Sequence, residues 1–346
     1  MSKRGTAFVI GATGQVGTAA VQALVEDGWT VRAAARTGRT HDGMPDGIEI
    51  IELDRDDTAA LAVALGDGAD VVVDCVAYRG RHARQLLGLA DRIGSAVVIS
   101  SVAVYQDDHG RPFGAPDTRY PIPIPETQAT VEPADDDYAT GKAALEQQLR
   151  AAADRLPVTL LRAGAVHGPR TKHPREWYFV KRALDGRPVR VLAHGGRSRF
   201  HTTATANLAE LIRLAARRPG TRVLNAADPA APSTAQISAA VDHVMGVSSE
   251  LVLIDGPPPA ANIGDSPWDI AHPIVLDMRA AGGELDYRPV TSYPQSLPAT
   301  VGWLIDTARD RDWRKVFPDL VTKYRPDYDF FAYAAEDRWL ARRRTQ

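Results

Sequence analysis

The sequence has little of what marks secreted, membrane or nucleic-acid-binding proteins. Its 346 residues contain one cysteine, Cys75, so no disulfide can form within the chain, and a reducing compartment suits it. No apolar run approaches the length that crosses a bilayer. The formal net charge is −2, and the basic residues do not gather into the basic face that binds nucleic acid. We therefore expect a cytoplasmic globular protein that binds neither nucleic acid nor membranes.

Short apolar runs alternate with helical patterns in the first half of the chain. Thr6–Ile10 has the length of a buried parallel strand, and residues 17–27 carry apolar side chains at helical spacing. Further strands are predicted at 30–35, 48–53, 71–77 and 96–100, which makes Cys75 a buried strand residue rather than a nucleophile. Alternating strands and helices need right-handed crossovers. We predict an α/β fold, a Rossmann-type doubly wound parallel sheet with a smaller C-terminal α+β substrate domain.

The second half of the chain is less regular. Proline and glycine interrupt residues 105–133, which we expect to border a cleft, and a helix is predicted at 138–154, followed by a strand at 158–161. Further along the chain, a helix is predicted at 207–216, a strand at 223–225 and a helix at 234–245. We assign residues 1–168, with 200–226 returning, to an NADP-binding domain, and 169–199 with 227–346 to a substrate-binding part. The aromatic and charged tail from Tyr293 gives no interpretable pattern.

A glycine-rich turn in residues 11–17 (GATGQVG) follows the first predicted strand and opens the first predicted helix. Glycine lets backbone amides approach a pyrophosphate, and the helix N-terminus supplies positive potential. In this context the motif predicts a dinucleotide site, although a turn that only packs closely has the same composition. The predicted cofactor-binding residues of the turn are Gly11, Thr13, Gly14, Gln15, Val16 and Gly17.

The end of the second strand predicts which nicotinamide cofactor binds. NAD-binding forms of this fold carry an acidic residue there, which accepts hydrogen bonds from the ribose hydroxyls. In this chain the position falls on Ala35 or close to it, and Arg36 follows. A guanidinium binds a 2′-phosphate, which an acid would repel. We therefore predict NADP(H) as the cofactor, with a solvated loop arginine as the alternative interpretation of Arg36.

Three polar residues predict a carbonyl-reducing site. Ser101 closes a central strand, where this fold places its reactive groups. Tyr138 and Lys142 are four residues apart at the start of a predicted helix and share one face. In such a site the tyrosine gives a proton to the carbonyl oxygen as hydride reaches the carbon. The lysine holds the nicotinamide ribose and assists the phenol, while the serine orients the carbonyl.

These motifs resemble those of the extended short-chain dehydrogenase/reductases, which include nucleotide-sugar epimerases, dehydratases and related reductases. The resemblance covers about residues 5 to 250. It implies that Asp54 contacts the adenine, that Ala77 and Lys142 belong to the cofactor site, and that Ser101, Tyr138 and Lys142 are catalytic. It also implies a homodimer through the helix that begins at Tyr138.

The chain departs from the family pattern at several positions. Val102 and Ala103 follow Ser101, whereas 4,6-dehydratases carry an Asp-Glu pair there. Residues 163–167 (AGAVH) lack the asparagine that usually binds a sugar diphosphate, and no asparagine stands near Arg79. These departures disfavour a dehydratase and weaken the case for nucleotide-sugar chemistry.

The predicted function is hydride transfer between NADP(H) and a ketone or secondary alcohol of a small metabolite. One alternative is a sugar or nucleotide-sugar epimerase, which oxidises and re-reduces one carbon without net use of the cofactor. The other is a non-catalytic NADP-binding redox sensor, which has no need of an intact Ser101, Tyr138 and Lys142.

The segment after Gly168 and Pro169 predicts part of the substrate site, because ligands of this fold lie beyond the carboxyl ends of the strands. Trp177 and Tyr178 offer apolar area, and His173 and Arg175 can orient a polar group. His201 is a further candidate. The alternative is that Trp177 packs a domain junction. The spacing of the histidines matches no metal site, so no metal is predicted.

Overall fold

A computed structural model describes residues 4–323 and 329–344. The strands in chain order are β1 (Thr6–Ile10), β2 (Thr30–Ala35), β3 (Ile50–Glu52), β4 (Val71–Asp74), β5 (Ala96–Ser101), β6 (Val158–Ala163), β7 (Ala165–His167), β8 (Val189–Leu192), β9 (Thr202–Ala204), β10 (Arg222–Ala226) and β11 (Glu250–Leu253). The helices are α1 (Gln15–Glu26), α2 (Thr58–Leu65), α3 (Gly80–Leu87), α4 (Tyr138–Ala151), α5 (Trp177–Leu184), α6 (Thr205–Arg217), α7 (Thr234–Met245), α8 (Arg279–Leu285), α9 (Tyr293–Ala308), α10 (Trp313–Val316), α11 (Pro318–Lys323) and α12 (Ala334–Arg344).

Seven strands form one parallel sheet in the order β10-β6-β5-β4-β1-β2-β3. The strand order reverses beside β1, so the carboxyl ends of β1 and β4 border the crevice where doubly wound sheets bind ligands. The predicted Rossmann-type parallel sheet is confirmed.

Both faces of the sheet are covered by helices, and β1 shows how the sequence achieves this. Successive side chains of a strand point to opposite faces. Ala7 and Val9 join a core with residues of α1, α6 and α8, whereas Phe8 and Ile10 join another with residues of α2, α3 and α4. A continuous apolar run is therefore what a doubly covered parallel strand requires.

The chain divides into two compact units. The first comprises the described residues up to 166, together with 203–228 and 276–291, and contains the seven-stranded sheet. The second comprises 167–202, 229–275 and the described residues from 292 onward. Residues 276–291, which we assigned from the sequence to the substrate-binding part, lie in the first unit. Helix α8 explains this, because Ala281 and Leu285 are buried in the core of the sheet.

The second unit contains the parallel pair β8 and β11 and most of the remaining helices. The described part of its tail, which gave no interpretable pattern, contains the helices α9 to α12. Helix α12 is held by Glu336, which is fully buried and pairs with Arg182 of α5 at 2.8 Å. Aromatic rings fill the space between, with Phe330 packed edge-on against Tyr178 at 5.7 Å between ring centres.

Several element ends differ from the sequence prediction. Strand β4 ends at Asp74, because the carboxylate of Asp74 accepts a hydrogen bond from the backbone of Val76 and turns the chain. Cys75 therefore lies beyond the strand and is half-buried, so its assignment to a buried strand was wrong. Helix α4 ends at Ala151 rather than near residue 154. Within the described ranges, no helix is both long and apolar enough to span a membrane.

Candidate cofactor-binding and catalytic site

The glycine turn between β1 and α1 is built from positions that tolerate no side chain. Gly11 has a φ of +79°, and a Cβ there would lie 2.7 Å from Cγ1 of Val76. A Cβ on Gly17 would lie 2.1 Å from the carbonyl oxygen of Gly11. The turn is tied to β2 by hydrogen bonds from the backbone nitrogens of Gly11 and Ala12 to the carbonyl of Ala34. The backbone of the turn is thus held in one conformation.

Helix α1 begins directly after this turn with its first amides uncapped. Its N-cap residue, Gly14, is exposed and supplies no side-chain hydrogen bond to the first turn of the helix. The N–H groups at a helix N-terminus carry partial positive charge and need acceptors. The glycines keep the approach to them clear, which is the arrangement that a pyrophosphate requires.

The surface beside the end of β2 combines a cation with an acid. Ala35 is buried and pairs in register with Glu52 of β3. Arg36 is exposed, and no carboxylate of the described residues lies within ion-pairing distance of it. Glu52 stands beside the following loop, since a Cβ on Gly38 would lie 3.2 Å from its carboxylate oxygen. Glu52 was not predicted from the sequence, because the acid comes from the neighbouring strand rather than from β2.

Asp54 and Ala77 lie after the carboxyl ends of β3 and β4, where the resemblance implies cofactor contacts. Asp54 is exposed, and its carboxylate accepts a hydrogen bond from the backbone nitrogen of Asp56 at 3.0 Å. Ala77 is fully buried, and its carbonyl faces Lys142.

Lys142 is the most constrained side chain of the site. It is 1% exposed, and its Nζ donates hydrogen bonds of 2.6 Å to the carbonyls of Ala77 and Ile99. Ile99 lies two residues before Ser101 on β5, so the lysine is fixed to the strand that ends in the serine. Burial lowers the pKa of Lys142 to about 8, although Asp74 and Glu146 act in the opposite direction. The ammonium therefore keeps its charge at neutral pH and loses its proton as the pH rises through about 8.

Two tyrosine rings lie over the Lys142 ammonium. Nζ is 5.8 Å from the centre of the Tyr138 ring and 4.8 Å from that of Tyr78. The two ring centres are 6.1 Å apart, and Tyr138 is 51% exposed at the first turn of α4. Asp137 caps that turn by accepting a hydrogen bond from the backbone nitrogen of Thr140 at 2.8 Å. The cap fixes where α4 begins and hence where Tyr138 stands.

Ser101 stands at the end of β5, where its Oγ accepts a hydrogen bond from the backbone nitrogen of Ala103 at 3.1 Å. Its neighbour Ser100 turns the other way and donates to Glu146, one helical turn beyond Lys142 on α4. Glu146 also pairs with Arg162 of β6 at 2.6 Å, and both side chains are buried. This pair fixes α4 against β5 and β6, the strands nearest to the tyrosine and lysine.

A second buried ion pair lies under the loop after β4. Arg55 binds the carboxylate of Asp74 at 2.7 Å, and both side chains are at most 7% exposed. His82 accepts a hydrogen bond from the backbone nitrogen of Tyr78 at 2.8 Å and contacts Asp56 at 2.6 Å. Burial is the largest influence on His82 and lowers its pKa, although Asp56 acts against it. The network holds the loop that carries Ala77 and Tyr78.

The three predicted substrate residues lie in the second unit. His173 is half-buried, whereas His201 is 4% exposed. Trp177 is 1% exposed at the start of α5, with its ring edge-on to Phe317 at 5.6 Å between centres. That burial is typical of a packing residue, and a substrate role for Trp177 stays a prediction.

Sequence reasoning missed the groups that position the site. Tyr78 had a signal, because an aromatic residue shortly after a buried strand lies at the edge where ligands bind. Glu146 and Asp74 are charged residues inside apolar patterns. This indicates that each is buried with an ionic or hydrogen-bonding partner, but it does not show which residue the partner is. For the described part of the chain, no group of His, Cys, Asp and Glu side chains is arranged to hold a metal ion.

The chain is similar in sequence and in fold to known proteins. The family model for the NAD dependent epimerase/dehydratase family matches residues 7–227. A curated relative, 2'-dehydrokanamycin reductase of Streptomyces kanamyceticus, is 29% identical over 216 residues, which are 59% of this chain and 57% of that protein. The match thus spans little more than half the length of that relative.

Solved structures share the fold over nearly the whole chain. UDP-glucose 4-epimerase of Thermus thermophilus, solved with NAD, is 20% identical, with a TM-score of 0.65 over 86% of this chain and 98% of that one. UDP-N-acetylglucosamine 4-epimerase of Methanobrevibacter ruminantium is 20% identical, with a TM-score of 0.68 over 88% and 99%. Epimerase Mth375 of Methanothermobacter thermautotrophicus is 15% identical, with a TM-score of 0.69 over 91% and 94%.

These findings confirm the resemblance stated from the motifs. The family comprises NAD(P)-dependent reductases, dehydrogenases and epimerases of the extended short-chain dehydrogenase/reductase type. Its model covers most of this chain, including the glycine turn, Ser101, Tyr138 and Lys142. The chain therefore belongs to the NAD dependent epimerase/dehydratase family.

Proposed function

We propose that this protein is an NADP(H)-dependent oxidoreductase that transfers hydride between the nicotinamide and a ketone or secondary alcohol of a small metabolite. The observation that carries the proposal is the position of Lys142. Its ammonium is buried, held by two backbone carbonyls and set against the ring of Tyr138. Burying an ammonium costs free energy of desolvation. A helix with a purely structural role does not need a buried cation beside a phenol.

The residues present fit a dinucleotide. The turn from Gly11 to Gly17 and the uncapped start of α1 would hold the pyrophosphate, with Thr13, Gln15 and Val16 around it. Arg36 would bind the 2′-phosphate, and Asp54 the adenine. Ala77 and Lys142 would line the nicotinamide ribose, and the third N–H of the ammonium remains available for it. When bound, the cofactor supplies or accepts the hydride.

The chain's own residues handle the proton and the orientation of the carbonyl. In reduction, Oη of Tyr138 gives its proton to the carbonyl oxygen as the carbon gains the hydride. Lys142 stabilises the phenolate that remains, since a nearby cation favours the charged form of a phenol. Ser101 donates a hydrogen bond to the same carbonyl oxygen and fixes the direction of the group. In oxidation each transfer runs in reverse.

Net reduction or oxidation is favoured over epimerisation by two observations. The curated relative is named as a reductase. The stretch Ala163–Gly164–Ala165 also lacks the asparagine expected for binding a sugar diphosphate. The epimerase structures are at most 20% identical, so they support the fold and leave the reaction open.

The same proposal gives each unit its own role. The first unit binds NADP(H), and the second contributes the substrate contacts, among them His173 and His201. Association of two copies through α4 is proposed as well, and sedimentation of the purified protein tests it separately.

The test is NADPH consumption with a panel of ketones and keto-sugars. A reductase consumes NADPH in proportion to the alcohol formed, whereas an epimerase converts its substrate without net consumption. A cofactor-binding sensor consumes none with any ketone, although it binds NADPH. Either of the last two results would contradict the proposed function and favour an epimerase or a sensor instead.

A further inference from the structure

Arg175 in the second unit is a buried cation that lies over two aromatic rings. It is 9% exposed, and its guanidinium carbon lies 5.2 Å from the centre of the Phe200 ring and 5.8 Å from that of Trp268. Both rings are themselves at most 9% exposed. The negative faces of the rings attract the cation.

No acidic side chain neutralises this cation. Across residues 4–323 and 329–344, no carboxylate lies within 4.0 Å of Arg175. Its buried Nε has no hydrogen-bond acceptor, as is also true of Nε in Arg182 and Arg190, so the missing carboxylate is what sets Arg175 apart. The adjacent acid, Glu176, is buried and lies 3.4 Å from the hydroxyl of Tyr293 instead. The fold thus places an acid next to Arg175 in the sequence and directs it elsewhere.

Other buried arginines of the same protein show what a structural arginine looks like here. Arg182 pairs with Glu336 at 2.8 Å, and Arg190 pairs with Asp242 at 3.1 Å. In the first unit Arg162 pairs with Glu146 at 2.6 Å. Arg175 is buried almost as deeply without such a partner, and an unpaired buried charge is costly. An anion from outside would supply the missing partner.

We propose that Arg175, which lies over the rings of Phe200 and Trp268, is the anion-recognising group of the substrate site. It takes a carboxylate or a phosphate of the substrate, because a planar guanidinium fork binds two oxygens of either group at once. The inference rests on the proposed function in that the anion belongs to the molecule whose carbonyl is reduced. A substrate with a cationic group at this place would be repelled.

The experiment measures anion binding without turnover. Protein saturated with NADPH, so that the phosphate-binding turn is filled, is titrated with inorganic pyrophosphate and separately with succinate by calorimetry. Binding of pyrophosphate or of succinate assigns the site to phosphates or to carboxylates. Arg175→Met should weaken that binding by about tenfold or more, whereas Arg175→Lys, which keeps the charge but loses the fork, should weaken it less.

Arg338→Met is the matched control, because Arg338 is an exposed arginine of the same unit. It should leave both titrations unchanged. The proposal is overturned if neither anion binds to the NADPH-saturated protein, or if Arg175→Met binds as the wild type does. Because NADPH binding and NADPH consumption are measured separately, that result leaves the proposed reductase function standing.

A second measurement needs no variant, in case Arg175→Met fails to fold. Phenylglyoxal modifies accessible guanidinium groups and blocks tryptic cleavage after the modified arginine. Modified Arg175 then appears in an uncut peptide of residues 173–181, between Lys172 and Lys181. The bound anion should protect Arg175 and leave Arg338 reactive. Equal modification of Arg175 with and without the anion contradicts the proposal.

Discussion

The ammonium of Lys142 lies 5.8 Å from the centre of the Tyr138 ring and cannot swing away from it. Two hydrogen bonds of 2.6 Å hold the nitrogen to the carbonyl of Ala77, in the loop after β4, and to that of Ile99 on β5. The spacing of four residues on α4 puts both side chains on one face, and the strands then fix the position of the charge. A flexible cation would spend part of its time farther from the phenol and would therefore stabilise the phenolate less.

Tyr138→Phe separates binding from chemistry. The change removes the hydroxyl that gives the proton and keeps the ring beside Lys142. We expect kcat to fall by about 10²–10⁴-fold, with the dissociation constant for NADPH nearly unchanged. Stopped-flow turnover and cofactor titration measure the two quantities. Tyr78→Phe is the control, since it alters the other ring over the same ammonium and should keep most of the activity.

The pH profile of reduction should report Lys142. Because burial lowers its pKa to about 8, the ammonium is charged below about pH 8 and loses its charge as the pH rises through that value. We therefore expect kcat/KM for NADPH, which reports the free enzyme, to fall above about pH 8. In Lys142→Arg the cation does not titrate in this range, so the fall should move to higher pH. An unchanged profile in the variant would assign the fall to another group.

Cofactor choice should depend on Arg36 and Glu52. A charged contact to the 2′-phosphate is worth about 10- to 150-fold in affinity, so NADPH should bind more tightly than NADH by a factor in that range. Arg36→Asp should reverse the preference. Glu52→Gln should strengthen NADPH binding, because Glu52 stands beside the same loop and repels a phosphate. Equal affinities for the two cofactors in the wild type would contradict the assignment of NADP(H) as the preferred cofactor.

Trp177→Ala should act on stability. The ring is 1% exposed and packs on Phe317, so its removal should cost about 3–5 kcal/mol of unfolding free energy. Trp303→Ala is the control, because Trp303 packs on the same Phe317 from a half-buried position and should cost less. Denaturant unfolding measures both. A stable Trp177→Ala protein with a raised KM would instead place Trp177 in the substrate site.

The sequence predicted the sheet well because its strands carry their own signals. β1 and β2 occupy the predicted residues, and α7 begins and ends as expected at Thr234 and Met245. A capping box formed by Ser233 and Gln236 and a left-handed Gly246 mark the ends of α7. Local rules were sufficient wherever a boundary is set by neighbouring residues.

The sequence could not predict features that depend on distant partners. Asp74 ends β4 only because it meets Arg55 and the Val76 backbone, and no periodicity shows that contact. The tail is likewise held by Arg182 and Glu336, which are far apart in the chain. For the site, the catalytic residues could be proposed from spacing, whereas the groups around Lys142 come from three different elements.

One experiment tests directly whether NADPH supplies the hydride and Tyr138 the proton, because it follows both together. Wild-type protein and Tyr138→Phe are given NADPH carrying two deuterium atoms at nicotinamide C4 and a ketone that the panel shows to be consumed. The account predicts that the wild type forms one alcohol per NADPH oxidised, with deuterium on the carbinol carbon. It predicts almost no product from Tyr138→Phe at full cofactor occupancy. Deuterated alcohol formed by Tyr138→Phe at the wild-type rate, or conversion of the substrate with no NADPH oxidised, would contradict it.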